Sequence, residues 1–92
     1  MKIGVPKEIK NHEYRVGLIP AGVKELIHNG HEVSVETNAG DGIGYSDAEY
    51  IAAGAQIMAS ATDVFNYGEL IIKVKEPQAI ERARLKKGQT LF

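Results

Sequence analysis

Short strand-forming runs alternate with helix-forming segments along the whole of this chain. Predicted strands cover residues 2–6, 31–37, 56–58 and 69–77 and resume at Gln89, whereas predicted helices begin at Pro20, Asp47, Ala61 and Ala79. Strands that alternate with helices are joined by right-handed crossovers and lie parallel in one sheet. The sequence therefore predicts an α/β fold with a parallel sheet in three layers, of the flavodoxin or Rossmann kind.

The length of the chain suits one domain. Its 92 residues allow burial of roughly 60 to 65% of the unfolded surface, which is enough for a modest core. No internal repeat and no Pro-rich or Ser-rich linker divides the sequence. The last residues, "GQTLF", resemble the start of a strand, and domains seldom end inside an apolar strand. We therefore expect a fragment that is incomplete at its C-terminus.

Charge and cysteine content exclude several classes of protein. Eleven Lys and Arg against twelve Asp and Glu give a net charge of -1, and the basic residues form no stripe that could neutralise phosphates. Nucleic acid is therefore not an expected partner, and the basic segment at residues 75–88 is interpreted as a solvated helix face. With no cysteine and with three histidines at unsuitable spacing, no metal site is expected.

The sequence shows neither an export signal nor a membrane span. Its start, "MKIGVPKEIK", lacks the apolar region that a secretory signal needs. The most apolar window, Tyr50 to Ala61, is short and is interrupted by Gly54, so it cannot cross about 30 Å of hydrocarbon. We expect a cytoplasmic protein with no membrane partner.

Two cations are predicted at the edge of the sheet where parallel strands place ligand sites, outside their carboxyl ends. Arg15 lies in the loop after the first strand, and Lys75 lies where the fourth strand ends, while Lys73 is expected to reach solvent at the sheet edge. Arginine matches a carboxylate at two points, and lysine suits a single carbonyl oxygen, so together they fit a 2-oxo acid. From the residues alone, solvation or pairing with neighbours such as Glu8 remains an open alternative.

The glycine-rich segment "NAGDGIGYSD" at residues 38–47 invites comparison with a dinucleotide-binding loop. Gly40 and Gly42 have the right spacing, but Tyr45 stands where that fingerprint requires its third glycine. The acidic residue expected about 20 positions later also has no clear counterpart, because Asp63 falls in a predicted helix. No cofactor-binding residue is therefore assigned within residues 1–92.

Several segments together resemble one known family. They are "GVPKEIKNHEYRVGLIPAGVKELIHNGHEV" at residues 4–33, "AGDGIG" at 39–44, "AGA" at 53–55 and "KVKEP" at 73–77. The match spans nearly the whole chain and resembles the N-terminal region shared by alanine dehydrogenases and the NAD(P) transhydrogenase alpha subunit. The lysine at position 75 is typical of the dehydrogenases.

The resemblance implies a substrate and roles for two residues. Arg15 matches the arginine that binds the substrate carboxylate, and Lys75 matches the lysine that contacts the pyruvate oxygen or the alanine amine. The implied reaction is the reversible NAD-dependent conversion of L-alanine to pyruvate and ammonia by a homohexamer. The family's proton-transferring histidine and catalytic aspartate would both lie beyond Phe92, so no catalytic residue is expected here, and the fragment alone should be inactive.

The resemblance also implies how the domains are divided. Residues 1–92 would form the N-terminal part of the substrate-binding domain, and the NAD-binding domain would be absent from this chain. Two alternatives stay open: the matching part of a transhydrogenase alpha subunit, or a non-catalytic small α/β binding module. One departure from the family pattern affects the scaffold, because Ile19 stands where a hydroxyl side chain usually caps the first helix.

Overall fold

The computed structural model describes residues 1–9, 15–74 and 89–91. Within these residues the strands are β1 (Lys2–Val5), β2 (Glu32–Glu36), β3 (Gln56–Met58), β4 (Leu70–Ile71) and β5 (Thr90–Leu91). Three α-helices lie between them, namely α1 (Pro20–His28), α2 (Asp47–Ala52) and α3 (Ala61–Tyr67), together with one turn of 3₁₀ helix at Asp41–Ile43. The predicted alternation is confirmed in these segments, and the predicted helix at 79–85 lies outside the described residues.

All five strands are parallel, in the spatial order β3-β2-β1-β4-β5. Val5 is paired with Val35 on one side of β1, and Gly4 is paired with Ile71 on the other. The chain builds outward from β1 in one direction and then returns to add β4 and β5 in the other. Such a reversal creates a crevice at the carboxyl ends of the two strands concerned, here β1 and β4.

Alternate side chains of the strands enter two separate apolar layers. One face of the sheet packs against Val23 of α1 and Tyr50 of α2, and its fully or almost fully buried strand residues are Ile3, Val5, Val33 and Val35. The other face carries Gly4 and packs against α3, where Val64 is fully buried. Helices therefore cover both faces, which confirms the predicted three-layer α/β fold.

Gly4 allows α3 to lie directly on β1. A Cβ atom at this position would stand 2.9 Å from the carbonyl oxygen of Val64 and 3.1 Å from the side chain of Ile71. Because a backbone oxygen has little freedom to move away, any larger residue would push the helix off the sheet. The glycine at position 4 thus sets how closely the second layer packs.

Local sequence signals account for the starts of the helices. α1 begins with Pro20 at its first position, and Ile19 makes no side-chain capping bond, as its apolar side chain predicts. α2 begins with a complete capping box, in which the Ser46 hydroxyl and the Glu49 carboxylate each accept a bond from the other residue's backbone N–H. At α3, the Ser60 hydroxyl accepts a bond from the backbone N–H of Asp63.

The predicted strand at 69–77 is too long, because β4 covers only Leu70–Ile71. The ladder between β1 and β4 continues as far as the bond from the N–H of Ile72 to the carbonyl oxygen of Gly4, at 3.0 Å. Beyond that point Pro6 has no N–H to contribute to a ladder. The N–H of Val74 instead donates to the side chain of Glu8, at 3.0 Å. A side-chain contact therefore replaces the regular ladder where the strand exits.

Candidate functional site

A cavity of about 200 Å³ lies at the carboxyl edge of the sheet. Two loops form its walls, one after β1 and one after β2, and its lining residues are Lys7, Glu8, Arg15, Asn38, Ala39, Asp41 and Gly42. The loop after β1 also borders the crevice where the strand order reverses. Ligands of open parallel sheets bind outside the carboxyl ends of the strands, and the cavity lies there, beside the crevice between β1 and β4. The volume is smaller than that of pockets for drug-sized molecules, so the cavity suits a small ligand.

Arg15 lies where the sequence predicts it, at the carboxyl edge and in the cavity wall. Arg15 is an exposed residue. The second predicted cation, Lys75, lies outside the described residues, and its proximity to Arg15 stays a prediction. The structure places Arg15 in the cavity wall, and the binding of substrate by Arg15 and Lys75 stays a prediction.

Lys73 does not reach solvent, and that expectation was wrong. Its side chain is 2% exposed, and its ammonium group lies 3.0 Å from Oε1 of Glu8, whose side chain is 1% exposed. The partner is 65 positions away in the sequence and becomes a neighbour only because β1 and β4 are adjacent. Burying a lysine is tolerable when a carboxylate neutralises it, so the ion pair explains the burial.

Glu8 is a site residue that was not identified from the sequence. One carboxylate oxygen accepts from the Lys73 ammonium, and the other accepts from the backbone N–H of Val74, each at 3.0 Å. Glu8 also lines the cavity beside Arg15. Removing one partner of a buried ion pair costs about 3–5 kcal/mol, because it leaves the other charge uncompensated. The residue therefore has a structural contact on one side and a place in the cavity wall on the other.

Lys7, the residue before Glu8, is bound to β2, the strand on the other side of β1. The backbone N–H of Lys7 donates to the Glu36 carboxylate at the end of β2, at 2.9 Å. Residues 7 and 8 are therefore held on both sides, Lys7 by β2 and Glu8 by the segment that follows β4. Two anchors on consecutive residues fix the start of the loop that later carries Arg15.

The second wall of the cavity depends on Asp47, the first residue of α2. Its carboxylate accepts a bond of 2.6 Å from the Thr37 hydroxyl and one of 2.9 Å from the backbone N–H of Asn38. Asn38 has a φ of 65°, in the left-handed region that asparagine tolerates better than most residues. The side chain of Asp47 therefore holds the chain in the turn that directs residues 38–42 toward the cavity.

Comparison with known proteins decides the family. The model of the family described as "Alanine dehydrogenase/PNT, N-terminal domain" matches residues 4–92. The chain belongs to the alanine dehydrogenase/PNT N-terminal domain family. This finding confirms the resemblance seen in the sequence.

Individual relatives support the same assignment. The chain is 60% identical over 92 residues to an alanine dehydrogenase of Halomonas elongata and 52% identical to one of Mycolicibacterium smegmatis. In each case the match covers all of this chain but 25% of the relative. The chain thus spans about a quarter of the length of the curated relatives it matches.

Solved structures show the same pattern. A structure of L-alanine dehydrogenase superimposes with a TM-score of 0.95 at 50% identity, over 99% of this chain and 25% of that one. A transhydrogenase from Sinorhizobium meliloti superimposes with a TM-score of 0.91 at 33% identity, over 99% of this chain and 27% of that one. The fold is therefore shared between the two enzymes of the family, and sequence identity is higher to the dehydrogenase.

The glycine loop of this alanine dehydrogenase/PNT domain does not fit a nicotinamide dinucleotide. The loop follows β2, whereas the dinucleotide fingerprint follows the first strand of its unit. The next helix, α2, has only six residues, its Ser46 and Glu49 already form a capping box, and its first turn carries the carboxylates of Asp47 and Glu49. These negative charges would repel a pyrophosphate. Nucleotide binding is therefore not assigned to this loop.

The described part of this domain contains neither a candidate membrane-spanning helix nor a candidate metal-binding cluster. None of the helices within residues 1–9, 15–74 and 89–91 has the length and apolar character that crossing a bilayer requires. Within the same residues, the side chains of His, Asp and Glu form no group of three or more that could hold a metal ion. The charged residues that line the cavity are Lys7, Glu8, Arg15 and Asp41.

Proposed function

We propose that this chain is the N-terminal substrate-binding part of an alanine dehydrogenase, which interconverts L-alanine with pyruvate and ammonia. Residues 1–92 would belong to the substrate domain, and NAD would be bound by a separate domain outside this chain. The observation that carries the proposal is the position of Arg15 in a small cavity at the carboxyl edge of the sheet. The family assignment and the high identity to alanine dehydrogenases support it.

Arg15 binds the carboxylate that alanine and pyruvate share. Its planar guanidinium can donate two parallel hydrogen bonds to one carboxylate, which fixes the orientation of the acid as well as its position. A charge-assisted hydrogen bond contributes about 1.5–3 kcal/mol. This is enough to hold a small acid at millimolar to micromolar affinity when a second contact is present.

Lys75 supplies that second contact in the proposal. An ammonium group beside the carbonyl oxygen of pyruvate polarises the C=O bond and stabilises the negative charge that develops on the oxygen as ammonia adds. With the carboxylate held by Arg15 and the carbonyl by Lys75, the acid presents a single face to the cofactor. The proton-transferring groups would come from the part of the protein that follows residue 92.

A dehydrogenase fits better than a transhydrogenase. Identity to the alanine dehydrogenases is 49–60%, against 33% to the transhydrogenase structure. The segment "KVKEP" at residues 73–77 also keeps the lysine at position 75, which a small keto acid needs and which hydride exchange between two nucleotides does not. A cytoplasmic location and a homohexameric assembly are part of the proposal and rest on the family resemblance.

Kinetics of the full-length protein that contains this segment test the proposal. We expect L-alanine to drive reduction of NAD, pyruvate and ammonia to drive oxidation of NADH, and residues 1–92 alone to do neither. Hydride exchange between NADH and an NADP analogue without any requirement for L-alanine would instead identify a transhydrogenase. Binding of pyruvate with no hydride transfer by the full-length protein would identify a non-catalytic binding module.

A further inference from the structure

Glu8 is a buried carboxylate in the wall of a cavity that is proposed to bind an anion. A negative charge in that position would repel the carboxylate of the substrate unless a cation compensates it. Lys73 lies 3.0 Å away and is equally buried, so it supplies the compensation from behind the cavity wall. Two apolar residues in place of Glu8 and Lys73 could fill the same space without removing two charges from water. The presence of an ion pair here therefore needs an explanation beyond stability.

The explanation lies in what the pair connects. Glu8 is in the loop after β1 that leads to Arg15, and its second oxygen accepts from the N–H of Val74. Val74 directly precedes Lys75 in the sequence. The same carboxylate thus joins the loop that carries one proposed substrate ligand to the segment that leads into the other. Because it accepts two directional bonds, it restrains both the separation and the direction of these segments.

The anchor of Lys7 to Glu36 makes this restraint effective. If the loop after β1 could move, a bond from Glu8 to Val74 would only make the two segments move together. Since Lys7 is bound to β2, the Glu8 carboxylate is attached to a fixed part of the sheet. The segment after β4 is therefore held against a rigid reference.

We propose that Glu8 and Lys73 form a positioning pair that holds the chain at Val74 against the loop after β1 and so favours binding of a short 2-oxo acid. The inference rests on the proposed function, because it assumes that Lys75 contacts the substrate. Glu8 and Lys73 act through other residues and are not catalytic themselves. Their contribution is to substrate affinity and to discrimination between keto acids of different length.

The variant Glu8→Asp in the full-length enzyme tests this most directly. It keeps the negative charge but withdraws the carboxylate by one C–C bond, about 1.5 Å, so that it cannot reach both the Lys73 ammonium and the Val74 N–H. We expect the KM for pyruvate to rise about tenfold while the KM for NADH stays unchanged. We also expect the preference for pyruvate over 2-oxobutyrate, which is longer by one methylene, to fall at least threefold.

Glu69→Asp is the matched control, because it keeps the charge and shortens the side chain in the same way. The Glu69 carboxylate also joins β1 to β4, because it accepts a 2.8 Å bond from the backbone N–H of Lys2. It does so at the amino ends of the strands, away from the cavity. We expect this variant to leave the KM for pyruvate and the preference for it unchanged. An equal effect of Glu69→Asp and Glu8→Asp would show a general loss of rigidity and would overturn the positioning role.

A double-mutant cycle separates this inference from the proposed function. If Glu8 acts through Lys75, the tenfold effect of Glu8→Asp should shrink to less than twofold in a Lys75→Ala background. A large effect of Lys75→Ala combined with an undiminished effect of Glu8→Asp would overturn the positioning role and leave the proposed function intact. If Lys75→Ala alone leaves the kinetics unchanged, the proposed function fails, and this inference fails with it.

Should Glu8→Asp fail to fold, the double variant Glu8→Gln with Lys73→Met provides the same test. It removes both buried charges together and keeps the approximate shape of each side chain, so no uncompensated charge is left. We expect it to fold and to show the raised KM for pyruvate, because a neutral pair restrains the Val74 segment less. A folded double variant with unchanged KM and unchanged preference would overturn the inference.

Discussion

The hydroxyl of Tyr50 donates a 2.8 Å hydrogen bond to the carbonyl oxygen of Leu18. Tyr50 is fully buried on α2, and Leu18 lies three residues after Arg15 in the segment that leads into α1. The bond therefore anchors the chain between the proposed carboxylate ligand and the helix that follows it. Positioning of Arg15 thus depends on a helix that lies far from it in sequence.

Replacing Tyr50 with Phe should lower the free energy of unfolding by about 1 kcal/mol at pH 7, the typical net value of one hydrogen bond. Burial, followed by the nearby charges of Tyr45, Glu49 and Asp47, raises the pKa of Tyr50 from 10 to about 12. Thermal unfolding of the wild-type protein and the variant gives the difference in stability.

The pH dependence follows from the raised pKa of Tyr50. In the unfolded chain this phenol loses its proton near pH 10, whereas in the folded protein it keeps it up to about pH 12. The contribution of Tyr50 to the free energy of unfolding is therefore complete below pH 10 and is lost as the pH rises from 10 to 12. We expect the advantage of wild type over Tyr50→Phe to shrink in that interval. A difference in the free energy of unfolding between the two proteins that stays constant from pH 10 to 12 would contradict the raised pKa of Tyr50.

Arg15→Ala in the full-length enzyme should raise the KM for pyruvate and for L-alanine by ten- to a hundredfold, which corresponds to the loss of about 1.5–3 kcal/mol from a charge-assisted contact. The KM values of Arg15→Lys should lie between those of wild type and Arg15→Ala, because lysine keeps the charge but cannot donate two parallel hydrogen bonds. Lys24→Ala, which removes an exposed cation from α1, is the control and should leave both constants unchanged. Equal kinetics of Arg15→Ala and Lys24→Ala would reject the role of Arg15.

Asp47→Ala should loosen the second wall of the cavity. The variant loses the bonds from the Thr37 hydroxyl and from the N–H of Asn38, and the left-handed turn at Asn38 then lacks its support. We expect the free energy of unfolding to fall by about 2 kcal/mol and the KM for pyruvate to rise severalfold. Asp63→Ala, which removes another first-turn carboxylate on α3, controls for the general effect of charge at a helix start. A KM that responds equally to both changes would contradict the prediction.

Gly40→Ala and Gly44→Ala should lower the free energy of unfolding by different amounts. A Cβ on Gly40 would stand 2.8 Å from the ring of Tyr50 and 2.9 Å from the carbonyl oxygen of Tyr45, whereas a Cβ on Gly44 would meet no atom within 4 Å. Gly44 has a φ of 85°, so alanine there loses about 1 kcal/mol through its backbone conformation. We expect a larger loss, of about 2–3 kcal/mol, at Gly40. Chemical unfolding of the two variants measures both values, and the reverse order would count against the packing described here.

Much of the fold was predictable from local patterns. Apolar periodicity and the capping signals at Pro20 and Ser46 define where the elements lie, because these signals act within a few residues. Parallel strands share one carboxyl edge, so the loop that carries Arg15 could be assigned to that edge before any coordinates. The predicted position of Arg15 therefore followed from topology, whereas its role as a substrate ligand came from the family resemblance and stays a prediction.

Long-range contacts were not predictable in the same way. Lys73 was expected to reach solvent because a lysine in a strand usually does so, yet it is paired with Glu8, 65 positions away. Pairing with Glu8 was one of the alternatives left open for these cations, but the local pattern does not indicate which of them Glu8 contacts. The early end of β4 also depends on a long-range contact, because the Glu8 carboxylate accepts the hydrogen bond from the N–H of Val74. The position of Lys75 stays a prediction.

A crystal structure of the full-length protein with pyruvate bound would test the central claim most directly. We expect the Arg15 guanidinium to donate to both carboxylate oxygens of pyruvate, and the Lys75 ammonium to lie within about 3.2 Å of the keto oxygen. Pyruvate bound away from the cavity, or the two cations on opposite sides of the molecule, would contradict it.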